Sequence, residues 1–567
     1  MRRALAAVAA VLAVTAAGTE AAQPPTTTKR VVGGDTEAPY SKLALLPGWK
    51  RVVRTDLAAA KRGRAKRRTS LLYFAQLSDF QLADEESPVR VESLDKDDTP
   101  FTSAWRPQEA LEPFTVDLAI RQVNRFMRSP VAMRKRKRAK LALSVLTGDN
   151  ADNQQRNEVT WVRQLLDGGQ VTTNSGVEPT APCAAGPIEP GEAVKYTGVQ
   201  DYDDVGENAM FYDPDKPAGT YAAFPSWPNL MDRAQLPFTA AGLKVPSYVS
   251  LGNHDGTVQG NIWASTTFDD IATGCVKPLT FGGVEPSQLI AALGGGVAVP
   301  PDPERGFLSR AAYAETMGAD HGFGFVSKAE REASNGHAIY FSFKRGRVRF
   351  VAINTVGEGS NINPEGNLDD PQFQWLTGVL KRADTRKELV VLFGHHPIRT
   401  MSNTAADEDA PACDGADPHP GCDGDPRSSE PIHLGADLQA LLLEHPSVIA
   451  YVAGHTHEHK ITPFARESGG GFWGIETSSE VDWPIQSRLL EIADNRDGTL
   501  SIFGTLIDHG ATLNTPPPGT DATGFTPATL AAIAREISFN DPQQGGAGGM
   551  GEPEDRNVEL LLDDPRR

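Results

Sequence analysis

Beyond its first twenty residues the chain has no apolar run long enough to span a bilayer, which removes helical membrane spans from the reading of its main body. Cysteine is scarce. The four present, Cys183, Cys275, Cys413 and Cys422, show no Cys-x-x-Cys spacing, which argues against a cysteine-ligated zinc site. Cations are in deficit, with 55 Lys and Arg against 73 Asp and Glu, and a formal charge of −18 argues against specific nucleic-acid binding. What remains is an ordinary globular composition, 39% hydrophobic and 23% charged. At 567 residues the chain can bury one large domain or two smaller ones.

The first residues read as an address. Arg2 and Arg3 precede an alanine-rich apolar stretch from Leu5 to Ala17, and small residues around Ala21 offer a cleavage site. Residues 1–21 are therefore expected to be a signal peptide, and the protein to be secreted to the extracellular or cell-envelope space. An even cysteine count in an exported chain favours disulfides. Cys413 and Cys422 bracket a short loop and form a local pair, while Cys183 and Cys275 fall in two insertions and would clip them together. Residues 22–69 read as a basic arm or linker containing the run from Lys61 to Arg68, and a second basic run spans Arg134 to Lys140. Both read as solvated charge, with a weak contact of the basic arm with anionic envelope material as the functional alternative.

From Leu71 onward apolar runs alternate with segments of helical spacing. Strands are expected at Leu71–Leu77, Leu141–Thr147, Glu388–Phe393 and Val448–Ala453, and helices at Phe114–Met127, Glu158–Leu166 and Leu434–Leu443. A hairpin is expected around Lys344–Arg347 and further strands at Gly471–Thr477, Arg488–Ala493 and Leu500–Ile507. Insertions at about 168–243 and 256–337 interrupt the series, and residues 513–567 read as one helix followed by a disordered-looking tail. Strand–helix alternation followed by a run of strands implies an α/β fold of two packed sheets with helices outside.

Five of the strands end in polar residues that suit divalent metals. In order these are Asp79-Phe80-Gln81, Gly148-Asp149-Asn150-Ala151-Asp152, Gly252-Asn253-His254-Asp255, Gly394-His395-His396 and Gly454-His455-Thr456-His457. Two imidazoles two residues apart in a strand-end loop can be turned toward one point. Taken together the blocks resemble the signature of the calcineurin-like metallophosphoesterase superfamily: Asp-x-His, Gly-Asp-x-x-Asp, Gly-Asn-His-Asp/Glu, His, Gly-His-x-His. The resemblance covers roughly residues 70–512. Gln81 departs from it, standing where the superfamily usually has histidine.

The resemblance implies a four-layer α/β/β/α sandwich and two divalent ions (Mn, Fe, Zn or Mg) about 3.5–4 Å apart. Asp149 would bridge both ions. Asp79, Gln81 and His457 would serve the first, and Asn253, His395 and His455 the second. A bridging hydroxide would then attack a phosphate mono- or diester. His254, held by Asp152, would be the general acid, with Asp255 and His396 behind the ligands. His321, His337, His419, His433, His445, His459 and His509 match no motif and read as surface or structural. The loop from Asp407 to Asp425 lacks the ordered spacing of a calcium loop. The competing reading is a metal- or phosphate-binding relative whose activity the Gln81 change has cost.

Overall fold

The computed structural model describes residues 24–90, 92–95, 104–201, 211–262, 264–278, 296–334, 338–357, 363–407, 429–546 and 548–567. The expected signal peptide, the Cys413–Cys422 pair, His337 and His419 lie outside the described residues. The chain is a mixed α/β protein built on two large mixed sheets. In chain order their strands are β1 (Val52–Arg54), β2 (Thr69–Leu77), β3 (Ser144–Leu146), β4 (Ser247–Val249), β5 (Phe341–Arg345), β6 (Val348–Ala352), β7 (Leu389–Phe393), β8 (Val448–Ala453), β9 (Lys460–Ala465), β10 (Gly471–Glu476), β11 (Gln486–Asp494), β12 (Thr499–Asp508) and β13 (Val558–Asp563). The seven-stranded sheet runs β1-β13-β12-β11-β2-β3-β4 and the six-stranded sheet β5-β6-β7-β8-β10-β9.

The apolar runs become strands covered on both faces. Along β7, Leu389, Val391 and Phe393 join the core shared by the two sheets. Val390 and Leu392 instead meet the helices α3 (Asp370–Thr385) and α4 (Gly435–Glu444) through Leu376, Leu380, Leu438 and Leu442. That alternation is the period of two of a strand, and a run apolar at every position is what a strand buried on both sides requires. Between the sheets Phe74 packs edge-on against Phe350 with ring centroids 5.2 Å apart, and Trp473 donates across the gap to the Leu561 carbonyl at 3.2 Å. The helices α1 (Glu112–Arg125), α2 (Arg156–Asp167) and α5 (Pro527–Asn540) add their buried faces to the same core.

Strands β2, β3 and β4 pair in parallel, as do β6, β7, β8 and β10. Each parallel set sends its polar loops out at the carboxyl end of its strands, where open α/β sheets place ligands.

Two regions differ from the sequence expectation. Residues 513–567 are not a loose tail: β13 lies between β1 and β12, its first five residues buried. Residues 22–69 are not a free linker, since β1 pairs in parallel with β13 and the basic run contains a helical turn, Arg64–Arg67. Arg64 and Arg68 both reach Glu559 of β13, at 3.0 and 3.4 Å, so each segment supplies the partner that the other lacks when read alone. The described residues of the insertions pack onto the rest of the molecule as well. Tyr212, Tyr221 and Phe224 form an aromatic cluster, and Trp105 packs on Tyr221. A disulfide joins Cys183 to Cys275, as expected of the two insertions.

Candidate metal centre

The two parallel sets meet at their carboxyl ends. Asp79, Asp149 and Asn253 follow β2, β3 and β4, while His395, His455 and His457 follow β7 and β8. One sheet therefore supplies the oxygen donors and the other the imidazoles. They are stitched together from behind by Gln76 Nε2 donating to the Ala453 carbonyl at 2.9 Å and by the His455 amide donating to Asp79 Oδ1 at 2.9 Å.

Donor atoms converge in two overlapping groups. Asp79, Asp149 and His395 offer ligand atoms all within 4.8 Å of one another. Asn253 Oδ1 lies 2.8 Å from His395 Nε2 and 3.1 Å from His455 Nδ1, and the two ring nitrogens are 3.2 Å apart. Asn253, His395 and His457 are each fixed from the far side. Asn253 Nδ2 donates to the Gly260 carbonyl at 3.0 Å, which turns Oδ1 toward the imidazoles. His395 Nδ1 donates to the Thr147 carbonyl at 2.8 Å, leaving Nε2 to face the centre 3.1 Å from Asp149 Oδ2. His457 Nδ1 donates to Asp482 at 2.5 Å and presents Nε2 to Asp79 Oδ1 at 3.5 Å. This is how a protein fixes the tautomer and aim of a metal-binding histidine.

The backbone is bent to the same end. Asp79, Gln81, Asp149, His455 and His457 all have left-handed backbones, with φ between 42° and 71°. Each such non-glycine residue costs roughly 1–3 kcal/mol and persists only where the surrounding structure enforces it. The motif glycines allow the close approach of the loops. A Cβ on Gly148 would stand 2.6 Å from His395 Nδ1, and one on Gly454 would strike the Asp79 carboxylate.

Burial pushes the histidines down, and the carboxylates decide which of them recover. Asp149, with Asp79, lifts His395 to about 9 against burial, and Asp482 with Asp79 lifts His457 to about 9. His455 stays well below its usual value through burial and the neighbouring His396 and His395. Asp149, despite its burial, is held below the usual carboxylate range by His395 and His254.

The donor set fits divalent cations. Carboxylate, amide and neutral imidazole are the mixture that borderline and hard ions accept. The field that raises His395 is one a cation can answer in place of a proton. Gln81 supplies a further sign: its Nε2 lies 3.4 Å from Asp149 Oδ2, and its Oε1 is buried without a hydrogen-bond partner among the described residues. A buried acceptor of this kind calls for a donor or a cation.

His396 comes close to His395 and His455, but both of its nitrogens are taken. Nε2 donates to the Pro364 carbonyl at 2.7 Å and Nδ1 accepts from Thr355 at 2.8 Å. Asp255 is likewise committed, accepting from the amides of Asn150, Ala151 and Gly252. His254 stands apart from the converging donors. Its Nδ1 donates to Asp152 Oδ1 at 2.8 Å and its Nε2 lies 3.9 Å from Asp149. Burial alone would lower its pKa, but Asp149 and Asp152 raise it.

Arg90, Arg106 and Asp482 escaped the sequence reading. Arg90 is fully buried and grips Asp152 at 2.8 Å and Glu109 at 2.6 Å, and Arg106 grips Asp482 at 2.6 Å. Two chains of the form His–Asp–Arg result, His254–Asp152–Arg90 and His457–Asp482–Arg106. The available signal was a pair of arginines in the acidic stretch after Asp79, and an acidic pair, Glu480 and Asp482, just beyond β10. Among the other unmatched histidines, His321, His445, His459 and His509 are buried and His433 stacks on Phe373, and none joins the converging donor groups of the described residues.

No family model matches the chain, and no curated protein matches it in sequence. Solved structures do. A dimetal phosphatase from Danio rerio aligns over 78% of this chain and 100% of its own, at 13% identity and a TM-score of 0.33. The purple acid phosphatase PPD1 from yellow lupin (Lupinus luteus) seeds aligns over 82% of this chain and 54% of its own, at 11% identity and a TM-score of 0.28. Both likenesses are remote.

Proposed function

We propose that the chain is an exported, two-metal phosphoric ester hydrolase of the calcineurin-like metallophosphoesterase type, its layers forming that superfamily's α/β/β/α sandwich. The observation that carries this reading is the convergence of Asn253 Oδ1, His395 Nε2 and His455 Nδ1 beside Asp149. Asp149 reaches both halves of the cluster. Asn253, His395 and His455 would hold one ion, and Asp79, His457 and Gln81 the other. Bound ions would neutralise charge on a phosphoryl group and bring a water nucleophile within reach at neutral pH.

The protein's own part in the reaction is positioning and proton delivery. His254 is pinned through Nδ1, so only Nε2 can give a proton to a departing ester oxygen. Asp152 keeps that tautomer and favours the imidazolium, and Arg90 keeps Asp152 ionised and in place. A protein that only bound metal or phosphate would have no use for this arm, which favours catalysis over the binding-only reading. The arginine-led apolar start of the chain supports export.

The test is metal content by elemental analysis together with turnover of p-nitrophenyl phosphate and bis(p-nitrophenyl) phosphate, with manganese, ferrous iron or zinc added. Two bound ions and hydrolysis of either ester are expected. Two bound ions without turnover of any ester would leave the binding-only reading standing instead.

A further inference from the structure

The surface beside the amino end of β2 is basic, in a chain whose net charge is −18. Six cations in residues 61–68 and six in residues 134–140 are 73 positions apart at their starts, yet they are neighbours in space: the Arg134 amide donates to the Arg68 carbonyl at 3.2 Å. The second run is the tip of a hairpin-like loop tied by Ser129 to Ala139 at 2.9 Å and Leu141 to Met127 at 3.0 Å. At the tip Lys135 and Arg136 both take left-handed backbones, with φ of 59° and 57°. A turn of that kind favours Asn-Gly, and bulky residues there carry a backbone cost.

Part of this charge is used internally, by the ion pairs of Arg64 and Arg68 with Glu559 and of Arg67 with Asp497. Arg62, Lys66, Arg134, Lys135, Arg136, Lys137 and Lys140 are exposed and form no ion pair among the described residues. Between the hairpin and the start of β2 runs a cleft of about 540 Å³, lined by Ser70, Leu72, Arg134, Lys137, Arg138 and Lys140 among others.

We propose that this cleft and its rim are a docking surface for a linear phosphate polymer without bases. Like-charged side chains held together at a strained tip are relieved by an anionic partner. The concave form suits a chain more than a plane. The exposed large apolar residues, such as Leu45, Leu46, Val177 and Phe325, are not among the cleft's lining, so it has no wedge to enter a bilayer. Tyr73, the aromatic residue of the lining, is 1% exposed and gives no platform for stacked bases. The surface flanks the amino end of β2 while Asp79 follows its carboxyl end, so nine strand residues put roughly 25–30 Å between them. Docking here leaves the metal centre open, and the proposal stands apart from the catalytic reading.

The experiment is fluorescence anisotropy of end-labelled linear inorganic polyphosphate with the intact protein at 50 and 200 mM salt. Binding at the lower salt and a loss of at least about tenfold at the higher are expected, from release of counterions. Lys135→Asn with Arg136→Gly keeps the left-handed turn and should keep or raise the melting temperature while weakening binding about tenfold. Lys137→Glu with Lys140→Glu should weaken it further. Lys381→Glu with Arg386→Glu, exposed on another face, should change it less than twofold. No binding at 50 mM salt, or binding indifferent to residues 135 and 136, would overturn the proposal. So would a preference for phosphatidylcholine vesicles holding one quarter phosphatidylglycerol, or for a single-stranded oligonucleotide of equal phosphate number.

Discussion

The two halves of the metal centre are built on different principles. Around Asn253, His395 and His455 the donors are amide and imidazole and close within 3.2 Å of one another, with Asn253 and His395 each locked from behind by a hydrogen bond to a backbone carbonyl. Around Asp79, Gln81 and His457 the spacing opens to 3.4–3.5 Å, and carboxylates stand both in the shell and behind it, at Asp79 and Asp482. The first half depends on pre-set geometry and the second on accumulated negative charge. Gln81 sharpens the contrast, because an amide oxygen is a weaker donor than the imidazole the motif usually carries.

Removing what the halves share should give the largest effect. Asp149→Ala is expected to lower metal content from two ions toward none and turnover by at least 10²–10³-fold, the scale of losing a key transition-state contact. Elemental analysis that still finds two ions would break the assignment. Next, Asp482→Asn should loosen His457 alone and cost about 10–100-fold in affinity for one ion, leaving the other tight. A metal titration showing both sites weakened equally would erase the distinction between the halves.

A smaller change, of roughly tenfold, is expected from Gln81→His. It should tighten the charge-rich half and reduce the dependence of activity on added metal. Superimposable titration curves for the two proteins would mean Gln81 does not touch the ion. The smallest effect is on stability. Stripping the ions with a chelator should lower the melting temperature by several degrees, since ligand at about a hundred times its Kd adds about 2.7 kcal/mol. Gln81→His should widen that gap, whereas a substitution in the tight half such as Asn253→Ala should narrow it.

The strand-end blocks were legible because their chemistry is local. An apolar run followed by Gly-Asp or Gly-His puts a ligand at a strand terminus whatever else the chain does, and β8, expected at Val448–Ala453, has those bounds in the structure. The spacing that marked helices was equally local: α1, expected at Phe114–Met127, spans Glu112–Arg125. Nothing local ties Arg90 to Asp152 or Arg106 to Asp482, because these carboxylates lie 62 and 376 positions away.

The sequence by itself determined the donor types, their order, and the alternation that buries strands on two faces. It also carried the one anomaly, Gln81. The tertiary structure decided which donors meet, turning one sheet's oxygens toward the other's imidazoles and bringing two distant basic runs side by side. It also made strands of the stretches that read as linker and tail. Val52–Arg54 and Val558–Asp563 pair across some 500 positions, and Glu559, which also accepts from Ser501, finds its cationic partners Arg64 and Arg68 at the far end of the chain. Local propensity in so short a segment is worth little, and the hydrogen bonds and ion pairs that stabilise it come from residues that only folding brings near.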